Sequence, residues 1–206
     1  MKYLITGGAG FIGSNLAIKL IEENNYVYVL DNLFRGKLSN LNSIINHPKF
    51  KFIKLDLVEE SCIPIISEFI KKESIDTIMH YAAINGTQYF YDIPEKVAVV
   101  NSISTYNLMR AVEYSQSKPN IIFASTSENY GDPNIIPTPE TEKTYFRISE
   151  ERDSYSVAKM MSEFYVKLFT KKIGSNFLII RIFNVYGKGM IGSKYGQVIP
   201  EFIQRL

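Results

Sequence analysis

The glycine-rich segment TGGAGFIGSNL, residues 6–16, constrains the fold of this 206-residue chain more than any other part. Gly8, Gly10 and Gly13 match the pattern G-x-G-x-x-G, and Gly7 begins the related pattern G-x-x-G-x-x-G. The segment lies between an apolar run and an amphipathic run, so it joins a strand to a helix. Glycines at such a junction allow a tight turn and a close approach of pyrophosphate, and the helix N-terminus points N–H groups at the anion. The segment therefore predicts a dinucleotide-binding turn.

Short apolar runs alternate with amphipathic segments along the whole chain. Strand length and β-branched or aromatic content predict strands at residues 2–6, 26–31, 50–56, 76–83, 120–125 and 176–184. The amphipathic segments predict helices at residues 11–23, 38–46, 61–72, 94–116 and 154–173. This alternation favours a parallel sheet with helices on both faces. Right-handed crossovers then predict an α/β doubly wound parallel sheet, the Rossmann fold.

Asp31 closes the second predicted strand, 18 residues after Gly13. A carboxylate at this place can hold the ribose hydroxyls of a dinucleotide. It would also repel a 2′-phosphate, so the expected cofactor is NAD rather than NADP. Arg35 and Lys37 lie close enough to weaken that preference, but we expect both to be solvated loop charges.

The fifth predicted strand ends in an unusual group of polar side chains. Ser125, Thr126 and Ser127 follow the apolar run IIFA, and Glu128 comes next. The loop at 126–153 is long and rich in Pro, Glu and Thr, and loops of that length in compact domains are usually functional or mobile. We therefore expect the strand end and the loop to belong to one site.

Tyr155 and Lys159 are four residues apart and share one face of the predicted helix. An ammonium about 4 Å from a phenol lowers the phenol pKa by about three units at an effective dielectric constant near 20. Tyr155 could then take the proton of a substrate alcohol while hydride goes to NAD⁺, with Thr126 bonded to the reacting oxygen. The apolar residues of the helix lie on roughly the opposite side, where we expect its packing face: Val157, Met160, Met161, Phe164 and Leu168.

Composition argues against several other classes of function. The net charge is +2 and no basic block occurs, so a nucleic-acid partner has little support. Cys62 is the only cysteine, which excludes an internal disulfide and fits a reducing compartment. No window of about 18 apolar residues predicts a membrane span, and no signal peptide is recognisable. The expectation is a cytoplasmic protein with no membrane partner and no metal site.

The motifs DNLFRGK, HYAA, VVNSISTYNLMRA, STSENYGDP, YSVAK and RIFNVYG follow the glycine segment in order. With them the chain resembles the extended short-chain dehydrogenase/reductase family, in the group of nucleotide-sugar epimerases, dehydratases and decarboxylases. Motif and resemblance together imply cofactor contacts at Gly7, Gly10, Phe11, Ile12, Gly13, Asp31, Asn32, Asp56, Leu57, Tyr81, Ala82, Asn101, Lys159 and Phe183. The resemblance implies catalytic roles for Thr126, Glu128, Tyr155 and Lys159, and substrate contacts at Thr126, Ser127 and Asn184. His80 is expected to pack at a strand end near the cofactor and not to act in catalysis.

Glu128 bears on the reaction that follows oxidation of the sugar at C4. Relatives that only invert C4 commonly lack a carboxylate here, whereas dehydratases use a glutamate at this place to take the C5 proton. The string STSE also resembles that of UDP-glucuronate decarboxylases. Glu128 could instead be a loop carboxylate that binds backbone N–H groups, so epimerase, dehydratase and decarboxylase all stay open. The alternative of another class is a non-catalytic module that only binds NAD.

Members of the resembled family usually continue well beyond the point at which this sequence stops. We therefore expect a Rossmann domain at 1–187 and only the start of a substrate-binding lobe at 188–206, with the rest of that lobe absent. The resemblance also implies a homodimer that pairs through the helices at 94–116 and 154–173.

Overall fold

The computed structural model describes residues 1–187, 189–190 and 198–206. Within these ranges, six parallel strands form one sheet in the order β3-β2-β1-β4-β5-β6. The strands are β1 (Lys2–Thr6), β2 (Tyr26–Asp31), β3 (Phe50–Lys54), β4 (Thr77–His80), β5 (Asn120–Thr126) and β6 (Phe177–Ile182). The helices are α1 (Phe11–Glu22), α2 (Cys62–Glu73), α3 (Tyr89–Asp92), α4 (Pro94–Ser115), α5 (Asp153–Ile173) and α6 (Val198–Arg205).

The strand order confirms the predicted doubly wound sheet. The chain runs outward from β1 to β3, returns to β4 on the other side of β1, and continues outward to β6. In sheets of this kind ligands bind beyond the carboxyl ends of the strands, where the order reverses. Here that place lies between β1 and β4.

Two cores cover the sheet because successive side chains of each strand point to opposite faces. On one face α2, α4 and α5 pack over a core that includes Leu4, Ile78 and Leu108. On the other face α1 covers Ile5 and Val29. Burial of these apolar side chains is the main favourable contribution to folding.

The segment 38–46 is not the predicted helix. A 3₁₀ turn spans Leu38–Leu41, and turns follow it. The side chain of Asn40 donates to the Ala9 carbonyl oxygen at 2.8 Å, and Leu41 is fully buried. Asparagine and serine side chains in this segment compete for backbone hydrogen bonds, which disfavours a continuous helix.

The packing face of α5 is the reverse of the predicted one. Val157, Met161 and Leu168 are 46%, 46% and 60% exposed, whereas Tyr155 and Lys159 are buried. The polar face can be buried because it finds hydrogen-bond partners in the molecule, and it leaves the apolar stripe in solvent. The apolar stripe thus marks a surface that the chain's own sheet does not cover.

The outer strand β6 is also less covered than expected. Ile179 packs on the core of α2, α4 and α5, but Leu178 and Ile180 point to the other face and are 55% and 37% exposed.

None of the helices described is both long and apolar enough to span a bilayer. The expected cytoplasmic location stays a prediction. So does the domain boundary after residue 187, because 188 and 191–197 lie outside the described residues.

Candidate active site

A cleft of about 740 Å³ lies at the carboxyl edge of the sheet. Most of the predicted site residues lie on its wall. They are Gly7, Gly10, Phe11, Ile12, Gly13, Asp31, Asn32, Asp56, Leu57, Tyr81, Ala82, Thr126, Ser127, Glu128, Tyr155, Lys159, Phe183 and Asn184. The fold thus brings together residues from the ends of all six strands of the described sheet, which are far apart in sequence.

The glycine turn, residues 7–13, closes so tightly that side chains would not fit. Gly7 has φ +69°, and a Cβ there would lie 2.6 Å from the Ala82 nitrogen. A Cβ on Gly13 would lie 2.5 Å from the Gly7 carbonyl oxygen, and one on Gly10 would lie 3.2 Å from it. The turn therefore leaves backbone exposed to the cleft directly before α1, which fits the pyrophosphate of a dinucleotide.

Asp31 is held rigidly at the end of β2. Its Oδ2 accepts a hydrogen bond from the Ala9 N–H at 3.0 Å, and its Oδ1 accepts one from the Leu33 N–H at 2.7 Å. Burial raises the pKa of Asp31, and these two hydrogen bonds oppose that effect. Each carboxylate oxygen has a second lone-pair direction. Asp31 therefore has the acceptor capacity that a ribose diol needs.

Next to Asp31, the Asn32 amide donates a hydrogen bond to Asp56 Oδ2 at 2.9 Å.

Arg35, which was expected to be a solvated charge, lies on the cleft wall with its guanidinium 5.3 Å from the Tyr89 ring centroid. Lys96 also lines the cleft, and its Nζ lies 4.4 Å from the Phe34 ring centroid. This cation–aromatic group was not predicted, because its members come from the loop after β2 and from α3 and α4, which are far apart in sequence.

Tyr155 is held by stacking on a neighbouring ring and lies beside Thr126. Its ring stacks on Phe90 with the ring centroids 4.8 Å apart and an interplanar angle of 19°. Thr126 is near enough to the phenol to lower its pKa. Tyr155 and Thr126 therefore lie together on the cleft wall.

The pKa of Tyr155 is raised, contrary to the prediction that an adjacent ammonium lowers it. Burial of the phenol is the main cause, and the charge of Glu128 adds to it. The neighbouring Thr126 side chain and the charge of Arg35 act in the opposite direction. Lys159 does not have the expected effect, because its ammonium is engaged elsewhere.

Lys159 is 2% exposed, and its Nζ donates to the Ala124 carbonyl oxygen at 2.6 Å. The same Nζ lies 4.6 Å from the Phe123 ring centroid. Burial lowers the pKa of Lys159 to about 7, and the charge of Glu163 opposes this effect. Lys159 therefore titrates near neutral pH, which suits a group that exchanges a proton during catalysis.

Glu128 lies beside Tyr155 in the 3₁₀ turn that follows β5. Its backbone N–H donates to Thr126 Oγ1 at 3.2 Å, and its side chain is 29% exposed. Arg152 and Ser156 each contact a different carboxylate oxygen at 3.4 Å. The carboxylate thus faces cations and hydroxyls of the cleft and not the backbone N–H groups of a loop.

Asn101 and His80 both form hydrogen bonds within the protein and do not lie on the cleft wall. Asn101, a predicted cofactor contact, is not on the cleft wall: its side chain exchanges two hydrogen bonds of 2.9 Å with the backbone of Ile84. His80 bridges Thr6 and Thr105 at 2.6 and 3.0 Å, and burial with the Lys159 charge lowers its pKa to about 3. His80 is therefore a neutral core residue. Within the described ranges, no three His, Cys, Asp or Glu side chains cluster as metal ligands would.

Comparisons with known proteins found matches over almost the whole chain. A sequence model described as "NAD dependent epimerase/dehydratase family" matches residues 3–206. UDP-glucuronic acid decarboxylase 5 of Arabidopsis thaliana is 36% identical over 204 residues, which cover 98% of this chain and 56% of the relative. The chain therefore spans little more than half the length of this relative.

Two solved structures extend the comparison. UDP-glucose 4-epimerase of Thermotoga maritima, in complex with UDP-glucose, has a TM-score of 0.85 and 31% identity, covering all of this chain and 62% of that one. UDP-glucose 4-epimerase of Brucella ovis, in complex with NAD, has a TM-score of 0.77 and 25% identity over 92% of this chain and 54% of that one.

Proposed function

This chain belongs to the NAD dependent epimerase/dehydratase family, and from that membership we propose that it acts on a nucleotide sugar with NAD as cofactor. In the proposed first step Tyr155 removes the C4 hydroxyl proton, and the 4-keto sugar forms as the C4 hydride is lost to NAD⁺, which would be the oxidant. The observation that carries the proposal is that Thr126 lies on the cleft wall with the buried Tyr155 and lowers the pKa of its phenol, against the effect of burial. A similar hydroxyl pair can hold the oxygen of a substrate alcohol while its proton moves.

The proposal assigns each part of NAD to a part of the cleft. The glycine turn would hold the pyrophosphate, Asp31 the adenosine ribose, and Lys159 with Phe183 the nicotinamide half. When bound, NAD⁺ would supply the hydride acceptor for oxidation of the sugar. Asn184 and Ser127 lie on the same wall and would contact the substrate.

The protein residues divide the proton transfers between them. Tyr155 takes the hydroxyl proton, while Thr126 keeps the phenol oxygen aligned. Arg35 opposes the rise in the Tyr155 pKa that burial causes. Because Lys159 has a pKa of about 7, it can give and recover a proton within the cleft at neutral pH.

A second reaction is supported by Glu128. This carboxylate lies in the cleft close enough for its charge to raise the pKa of Tyr155. A carboxylate beside a 4-keto sugar can take the C5 proton in dehydration, and it can assist the loss of a C5 carboxylate as CO₂. The similarity to a UDP-glucuronic acid decarboxylase favours the latter as the alternative to epimerisation.

We further propose a homodimer that pairs through α4 and α5. The support is the apolar stripe of α5, in which Phe164 and Leu168 are 53% and 60% exposed. On α4, Val99 and Tyr114 are 49% and 57% exposed. Two copies of such faces would remove both stripes from water.

The test is incubation with NAD⁺ and a panel of nucleoside-diphosphate sugars, followed by mass spectrometry of the products. Loss of CO₂ identifies a decarboxylase, loss of water a dehydratase, and an isobaric product with a new retention time an epimerase. Tyr155→Phe should reduce any of these rates by roughly 10³-fold, in line with loss of an acid–base group. Measurable NAD binding with no product from any sugar would contradict the enzymatic function and leave an NAD-binding module.

A further inference from the structure

Glu163 lies one helical turn after Lys159 on α5, outside the cleft wall. Its side chain is 12% exposed, yet its carboxylate is surrounded by donors. Ser125 Oγ donates at 2.6 Å, Asn129 Nδ2 at 2.9 Å, and Arg181 donates through Nε at 3.0 Å and Nη2 at 2.9 Å. Four charge-assisted hydrogen bonds on one half-buried carboxylate form a rigid unit.

Each donor belongs to a segment that carries candidate site residues. Ser125 directly precedes Thr126, and Asn129 directly follows Glu128. Arg181 is two residues before Phe183 at the end of β6. The Asn129 amide also donates to Ser125 Oγ at 3.0 Å, which closes the turn onto the same carboxylate.

Lys159 and Glu163 form hydrogen bonds with adjacent residues of β5. The Lys159 ammonium binds the Ala124 carbonyl oxygen, and the Glu163 carboxylate accepts the Ser125 hydroxyl. These contacts are one residue apart on the strand and one turn apart on the helix. Together they fix the distance between α5, which carries Tyr155, and the strand end that carries Thr126.

We propose that Glu163 is a positioning residue of the site: its carboxylate holds the ends of β5 and β6 against α5 and places a negative charge one turn from Lys159. The meaning of this role for catalysis rests on the proposed function. The contacts themselves do not, because they are made entirely within the chain.

The negative charge of Glu163 acts on the ammonium of Lys159. Lys159 is faced by Glu163 on its own helix and by His80 on β4, which is neutral. Arg181 on β6 lies behind the carboxylate and partly offsets it. Loss of the Glu163 charge should therefore favour the neutral amine of Lys159, and loss of the Arg181 charge should not.

The test is an NMR titration of Lys159 with ¹³C-labelled lysine, in which Lys159→Arg assigns the signal. We expect Glu163→Gln to lower the titration midpoint by about one pH unit, the size expected for a partly shielded charge one helical turn away. Arg181→Met disturbs the same ion pair but should leave the midpoint unchanged or raise it. Glu113→Gln removes a carboxylate that pairs with Lys172 at the surface, and it should have no effect.

A variant that keeps the charge tests the positioning role separately. Glu163→Asp is too short to reach all of its donors, so the amides of Glu128 and Asn129 should exchange at least tenfold faster while the Lys159 midpoint stays near the wild-type value. If Glu163→Gln does not fold, Glu163→Asp still tests the positioning role through the exchange of these amides.

Three results would overturn the inference: an unchanged midpoint in Glu163→Gln, an equal fall in Arg181→Met, or wild-type exchange of Glu128 and Asn129 in Glu163→Asp. None of these measurements needs turnover. They can therefore fail while the proposed function stands, and the proposed function can fail while they succeed.

Discussion

The Nζ of Lys159 lies 2.6 Å from the carbonyl oxygen of Ala124. The sequence predicts that Lys159 contacts the cofactor and assists Tyr155. In the structure Lys159 also donates a hydrogen bond to the end of β5. This contact connects α5, which carries Tyr155, to β5, which carries Thr126. The Lys159 ammonium therefore has a structural role in addition to its proposed catalytic role.

Burial of Lys159 should make stability depend on pH. Its pKa is about 7 in the folded protein and near 10.5 when unfolded, so the unfolded state binds more protons between these values. Stability should therefore rise with pH from about 7 to 9, by up to about 1.4 kcal/mol per pH unit. Urea unfolding at several pH values measures this slope. Lys159→Met should flatten it, and an equal slope in both proteins would contradict the assignment.

Glu128→Gln should lower the pKa of Tyr155. Burial is the main reason that this pKa is raised, but the Glu128 charge adds to it and the variant removes that charge. The ultraviolet absorbance of tyrosinate measures the titration, with Tyr155→Phe to identify the contribution of this residue. Asp132→Asn is the control, since Asp132 is 93% exposed and pairs with Arg147. A Tyr155 midpoint that does not move in Glu128→Gln would show that the two groups are not coupled.

Alanine substitutions in the glycine turn should separate stability from cofactor binding. Gly13→Ala places a Cβ against backbone and should cost about 2–3 kcal/mol of unfolding free energy. Gly10→Ala meets only the Gly7 oxygen, at 3.2 Å, and should cost less than about 1 kcal/mol. It should still weaken NAD binding at least tenfold, because the methyl group would stand where pyrophosphate approaches. Urea unfolding and calorimetric titration with NAD⁺ give the two quantities, and tight NAD binding by Gly10→Ala would argue against this turn as the phosphate site.

Charges on the exposed stripe of α5 should disrupt the proposed dimer. Met161→Glu and Phe164→Glu place carboxylates within a face that would be buried, where an unpaired charge is strongly unfavourable. Light scattering over micromolar concentrations should show the wild type as a dimer and both variants as monomers. Lys167→Glu, an exposed change on the same helix, is the control. A monomeric wild type across this range would count against the dimer.

The sequence by itself determined the class of fold and the place of the cofactor turn. Both depend on local order along the chain: an apolar strand, three glycines at set spacing, a helix, and Asp31 at the next strand end. A pattern of this kind has one way of folding, because the parallel connections are right-handed and the helix must begin at the turn.

Tertiary structure alone decided how the site is held and charged. Hydrophobic periodicity shows which residues of α5 share a face, but not which face the rest of the chain covers. Asn101 binds Ile84, and Glu163 binds Ser125 and Arg181, through contacts between residues 17 to 38 positions apart. The pKa of Tyr155 likewise depends on burial and on Glu128. Such effects act through distances in space, which spacing along a sequence does not specify.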